Sequence, residues 1–178
     1  MIMILRALKQ PCLSAISAEQ LLLGHPLAPK SIKRFDAFSV YGQGDHDQVI
    51  STIKASHLFF NPTKHDLIFN QSQQIKANDL FFHIKRKVPI NQLDLVHYLN
   101  QQCPEGTIDK VFLSDIWTFS YSDISNIPME DVLRDLVISS PNNQAPFSHP
   151  HIHNADVLRP ADLIHALTNP SPFNMAVL

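Results

Sequence analysis

The residues best placed by type and spacing to do chemistry are three histidines at alternate positions, in the run His149-Pro150-His151-Ile152-His153. In an extended segment alternate side chains share a face, so the imidazoles of His149, His151 and His153 would converge on one zinc or iron ion, with Asp156 as a fourth ligand. The same spacing also makes a polar strand face, or a loop running into a linker, because short histidine tracts signal metal only weakly. Cys12 and Cys103 are the two cysteines and neither belongs to a C-x-x-C pair, which argues against a zinc finger or a disulfide framework. Cys103 precedes Pro104, and His97 lies six residues back on a different helix face, so this thiol reads as packing and not as a nucleophile. His46, His57, His65, His97 and His165 are scattered, and read as exposed or singly hydrogen-bonded. Gly24-His25-Pro26 has one glycine and no following helix, too little for a phosphate loop. No Walker loop, nucleophile elbow or glutaminase Cys–His arrangement is recognisable.

The elements that must position these residues show an echo. Lys110–Ser122 places Val111, Leu113, Trp117, Phe119 and Tyr121 on one side of an extended stretch, the period-two pattern of a sheet with one buried face. Seventy-nine residues earlier, Ser31–Tyr41 repeats the pattern, with Ile32 matching Val111, Asp36 matching Asp115 and Phe38 matching Trp117. Around each copy the order is the same. A strand over Met1–Leu8 runs into Pro11, a helix over Ala18–Leu23 closes at Gly24, and the long stretch follows. Asp45 with Gln48 resembles a capping box for a helix carrying Val49, Ile53 and Phe60, stopped at Asn61-Pro62, and Leu67-Ile68-Phe69 closes the unit. The second copy has a strand at Leu80–Lys85, a helix capped by Asn91 with Leu93, Val96 and Leu99, and a helix from Pro128 carrying Met129, Val132, Leu133 and Leu136. Ser140-Pro141 stops that helix, and Ala145–His153 supplies the closing strand.

These orders predict an α+β chain of two tandem ferredoxin-like βαββαβ units, in which each long stretch bends at Asp36 or at Ser114-Asp115 into two paired strands. The units would form a pseudo-dimeric antiparallel sheet with helices on one face. Residues 1–70 form the first unit, 79–153 the second, and 154–178 a linker or docking segment with a short helix from Arg159-Pro160 through Leu167.

A 44% hydrophobic and 17% charged composition is that of a globular chain. A net charge of −2, with Lys85-Arg86-Lys87 the densest basic run, argues against nucleic-acid binding. The apolar start precedes its charges, the reverse of a signal peptide, and no segment reaches the roughly 20 apolar residues of a membrane span, so a cytoplasmic protein is expected.

The stretch Ile32–Val40 (IKRFDAFSV), a helix region ending Leu58–Pro62 (LFFNP) and Val111–Phe119 (VFLSDIWTF) together resemble the PurS-type module of phosphoribosylformylglycinamidine synthase, the formylglycinamide ribonucleotide amidotransferase of purine biosynthesis. The likeness is greatest to the large bacterial forms, which carry two such modules in tandem at their N-terminus, and it spans roughly residues 1–147. The family has glycine after the strand-end lysine, whereas this chain has Lys9-Gln10-Pro11 and Lys85-Arg86-Lys87, so a turn needing positive φ would have to be rebuilt. The resemblance implies a non-catalytic bridge between glutaminase and ATP-dependent synthetase parts. It implies no catalytic or cofactor-binding residue here, since ATP, Mg and glutamine would bind the partner domains. Two other classes fit the residues: a small metal-dependent enzyme built on His149, His151 and His153, and a ligand-binding regulator holding a metabolite between the units.

Overall fold

The computed structural model describes residues 2–43, 45–56, 59–68, 75–102, 107–138, 147–148 and 151–168. Among them the strands form one six-stranded antiparallel sheet. Its strands are β1 (Ile2–Leu8), β2 (Ser31–Gln43), β3 (His65–Ile68), β4 (Asp79–Arg86), β5 (Thr107–Ser120) and β6 (His153–Leu158), in the order β3-β1-β2-β5-β4-β6. The helices are α1 (Leu13–Leu22), α2 (His46–Ala55), α3 (Leu93–Gln102), α4 (Met129–Val132), which continues into a π-turn over Leu133–Val137, and α5 (Pro160–Thr168).

The strand order reads the same when β1, β2 and β3 are exchanged with β4, β5 and β6. Its centre is the β2–β5 ladder, where Asp36 pairs directly with Asp115 and the register runs unbroken from Ser31↔Ser120 to Tyr41↔Lys110. Because Asp115 is also the 79-residue repeat of Asp36, the pseudo-twofold axis passes through this pair. A bulge then shifts the register, so that Gly42 faces Ile108.

The expected bend is absent, and this changes the unit. β2 and β5 continue straight through Asp36 and Asp115 as 13- and 14-residue strands, so each half is strand, helix, long strand, helix, strand. A carboxylate midway along an apolar face reads as a break only while its partners are unseen. Here Arg6 Nε lies 3.0 Å from Asp36 Oδ2, and Arg34 Nη2 lies 2.8 Å from Asp115 Oδ1, which keeps both carboxylates inside a regular ladder.

Strand alternation sorts the side chains onto two faces. On the first, α1 and the α4 segment close one apolar cluster through Ala15, Ala18, Leu22, Val132, Leu136 and Val137 over Ile32, Phe82, Trp117 and Phe119. α2 and α3 close a second through Val49, Ile53 and Leu99 over Ile4, Phe38, Val40 and Val111. Each cluster takes one helix from each half, so the halves share their cores. The π-turn, closed by Ile138 N–H on the Leu133 carbonyl at 2.9 Å, brings the consecutive Leu136 and Val137 both into the first cluster.

The opposite face is not bare, which corrects the expectation of helices on one face only. α5 crosses it and seats Leu163 and Leu167 on Met3, Leu5, Ala37, Ile68, Phe81 and Ile116. Fully burying a leucine is worth about 1.5–3 kcal/mol, so α5 is held by packing. Its first turn is capped by Asp162 Oδ2, which accepts from Arg159 N–H at 3.0 Å.

Boundaries move as well. α1 starts at Leu13 and not at Ala18, and Gly24 follows it at φ +87, a left-handed position that suits glycine. Phe59, not Phe60, is the core aromatic beyond α2, tilted against Phe38 at 5.4 Å. Leu93 is exposed, and α3 packs through Leu95, Val96 and Leu99 instead. The second closing strand is His153–Leu158, displaced from the expected Ala145–His153 because β6 pairs with β4 through Arg86↔His153 to Phe81↔Leu158. Phe69, the 71–74 tract, Cys103, Ser140-Pro141 and 169–178 lie outside the described residues. No helix among those described is long and apolar enough to cross a membrane.

Candidate functional site

The two halves differ in the loop that leaves their first strand. In the second half, six residues separate β4 from α3, and this longer loop folds back on the sheet. Asn91 bridges Phe112, its Oδ1 accepts the Val111 N–H at 2.9 Å, and Gln92 N–H reaches the Val111 carbonyl at 2.8 Å. In the first half only four residues, Lys9-Gln10-Pro11-Cys12, separate β1 from α1, and Pro11 has no N–H to offer. No described segment bridges β2 where Asn91 bridges β5. Ile32, the counterpart of Val111, donates its N–H instead to Glu19 Oε1 at 2.6 Å. β1 ends its pairing at Ala7↔Phe35, and the β2 edge beyond it lines an open notch.

That notch is the mouth of a cavity of about 1080 Å³, lined from both faces of the sheet and from both halves of the chain. Its floor includes Phe35, Phe81, Thr118 and Asp79 on the α5 face, while Ala15, Ile16 and Glu19 of α1 form the opposite wall. The volume is just above the range of about 300–1,000 Å³ usual for small-molecule sites. Tyr121 closes one side, donating its hydroxyl to the Leu27 carbonyl at 3.0 Å, and burial pushes its phenol well above the ordinary value.

The polar groups of this cavity are unevenly satisfied. Lys9 reaches Asp66 at 3.7 Å, Glu19 is taken by Ile32, and Arg34 by Asp115. Lys30, Lys33 and Lys76 are exposed at the rim and have no ion-pair partner among the described residues. Asp79 is only 5% exposed and likewise has no side-chain partner among them. Thr118 is 2% exposed, and its Oγ1 is buried without a hydrogen bond. Buried polar atoms without partners are uncommon, and Thr118 Oγ1 on this cavity floor is one of two among the described residues, the other being Trp117 Nε1.

Arg34 links the cavity to the pseudo-twofold axis. It reaches Asp115 at 2.8 Å and Asp36 at 3.5 Å, and lies over the Trp117 ring at 5.8 Å. Burial opposes its charge, but the hydrogen bond and charge of Asp115, with Asp36, outweigh that and raise its pKa. Arg6 completes the network on Asp36, with Nη1 donating to the Phe59 carbonyl at 2.9 Å. The network is asymmetric, because the repeat puts Leu113 where Arg34 stands and Ile84 where Arg6 pairs with Asp36.

Of the sequence-derived metal candidates, His151 and His153 lie away from this cavity. His149 is outside the described residues. His151 and Ile152 form a turn, and His153 opens β6, so the run is not extended throughout. Asp156, three residues along the strand, falls on the face opposite His153 and is ion-paired to Lys85. Among the described residues no three His, Cys, Asp or Glu side chains gather to hold a metal.

A constellation the sequence did not single out is His83 with Ser114. The imidazole Nε2 lies 2.7 Å from Ser114 Oγ, and Asp156 is the cross-strand neighbour of His83. Burial, with a smaller contribution from Lys85, lowers the His83 pKa to about 4. A base that weak is ill matched to activating a hydroxyl near neutral pH. The pair therefore acts as a satisfied buried hydrogen bond.

Comparison of the chain with protein-family models, with curated proteins and with solved structures finds no match.

Proposed function

We propose that this chain is a tandem PurS-like assembly module of phosphoribosylformylglycinamidine synthase, bridging the glutaminase and the ATP-dependent synthetase without itself making or breaking bonds. The observation that carries the reading is the strand order β3-β1-β2-β5-β4-β6, centred on the Asp36–Asp115 pair at the 79-residue repeat. This is the arrangement expected of two fused PurS-like copies joined edge to edge through their long strands. On this proposal each half is a ferredoxin-like unit whose two middle strands are merged into one long strand. Shared apolar clusters support a rigid role, since neither half closes a core without a helix from the other. On this reading the partners are the synthetase and glutaminase parts, and ATP, Mg and glutamine are held by them.

The test is reconstitution. Glutaminase and synthetase parts are assayed with and without the chain, using glutamine or free ammonia as nitrogen source. The chain should raise glutamine-dependent synthesis and leave ammonia-dependent synthesis unchanged. Equal rates with and without it, from either source, would overturn the reading.

The cavity favours a second reading, that of a ligand-binding regulator, because both halves line it. The two are compatible, since an assembly module can also carry a ligand.

A further inference from the structure

We propose that the notch cavity binds a small zwitterion of the amino-acid class, its ammonium seated on Asp79 and Thr118 and its carboxylate held at the rim by Lys30, Lys33 and Lys76. Asp79 opens β4 opposite Ser120, and Thr118 stands opposite Phe81 on the same face, so the two side chains share one floor. The Asp79 carboxylate has no counter-charge among the described residues, and a bound ammonium supplies one with charge-assisted hydrogen bonds. Thr118 Oγ1 then gains the partner it lacks. A purely anionic ligand fits poorly, because it would meet Asp79. A purely cationic one would face three uncompensated lysines on entry. Phe35, Phe81 and Ile16 add apolar wall for a side chain.

The site also has a structural origin. Its notch opens where the short first loop leaves the β2 edge unbridged, and the longer second loop fills the equivalent place with Asn91. The inference stands apart from the bridging role, since association with partner proteins is a separate measurement.

The test is thermal-shift screening of the full chain against each of the twenty common L-amino acids at millimolar concentration, followed by calorimetric titration of those that stabilise it. The controls are inorganic phosphate and, for each active amino acid, the matching carboxylic acid without its amine. At least one amino acid should bind, and both controls should bind about tenfold or more weakly, the worth of one charge-assisted hydrogen bond. Asp79→Asn should weaken binding by a similar factor. The triple change of the exposed Lys30, Lys33 and Lys76 to alanine should weaken it about threefold to tenfold, with a larger effect at low salt. Should the Asp79 variant fail to fold, the amine-free control and the lysine variant decide. No stabilisation by any amino acid, or equal binding of the amine-free acid or of phosphate, would overturn the proposal.

Discussion

Acidification should destabilise this protein through one buried imidazole. His83 is 6% exposed on β4 and hydrogen-bonded to Ser114. Its pKa falls from 6.5 to about 4, chiefly because burial penalises the charged ring, with Lys85 adding to the effect and Asp156 opposing it. Between those two values the unfolded chain holds the proton and the folded chain does not, so stability falls as pH falls from about 6.5 to 4. At about 1.36 kcal/mol per pH unit, the loss attributable to His83 is about 3 kcal/mol across that window. Urea unfolding of the wild type and of His83→Gln, followed from neutral pH down to pH 4, isolates this part, since other groups titrate equally in both. The wild-type advantage at neutral pH should shrink steadily on acidification, and the variant should overtake it. Parallel curves, separated by a constant amount, would refute the assignment of a neutral, buried His83.

Three further outcomes follow from the packing. Leu163→Ala should cost about 2–4 kcal/mol in urea unfolding, because Leu163 is 1% exposed beneath α5, whereas a loosely tethered tail would lose almost nothing. Asn91→Ala should cost about 1–2 kcal/mol and speed amide exchange at Val111, and Glu19→Ala should do the same at Ile32, because each removes the acceptor of one edge N–H. A double-mutant cycle on Arg34→Ala and Asp115→Ala should give a coupling of about 1 kcal/mol, modest because both side chains are about a third exposed. Strict additivity would dissolve the network proposed at the axis.

The like order of elements in the two halves was legible in the sequence because strand alternation and the proline and glycine breaks mark it without residue identity. Ile32, Phe38 and Val40 match Val111, Trp117 and Phe119 in the strands as they do on the page. The straightness of β2 and β5 was not legible. Asp36 and Asp115 look like breaks until Arg6, 30 residues upstream, and Arg34, on the facing strand, are seen to neutralise them. The place of α5 was hidden for a different reason. Leu163 and Leu167 show an apolar stripe, but nothing in it says which sheet face is vacant. The cavity left only a faint mark, the difference between a four-residue loop at Lys9–Cys12 and a six-residue loop at Lys87–Gln92. Thr118 is an ordinary strand residue by sequence, and only its buried, unpartnered hydroxyl distinguishes it.

The central claim is that the chain joins two other proteins into one assembly. Gel filtration with light scattering measures this directly, by mixing the chain with the glutaminase and synthetase parts of the amidotransferase and weighing what elutes. The account predicts a single complex containing all three with a fixed stoichiometry, formed only weakly or not at all when the chain is left out. Three separate peaks at their own masses, unchanged by glutamine and ATP, would contradict it.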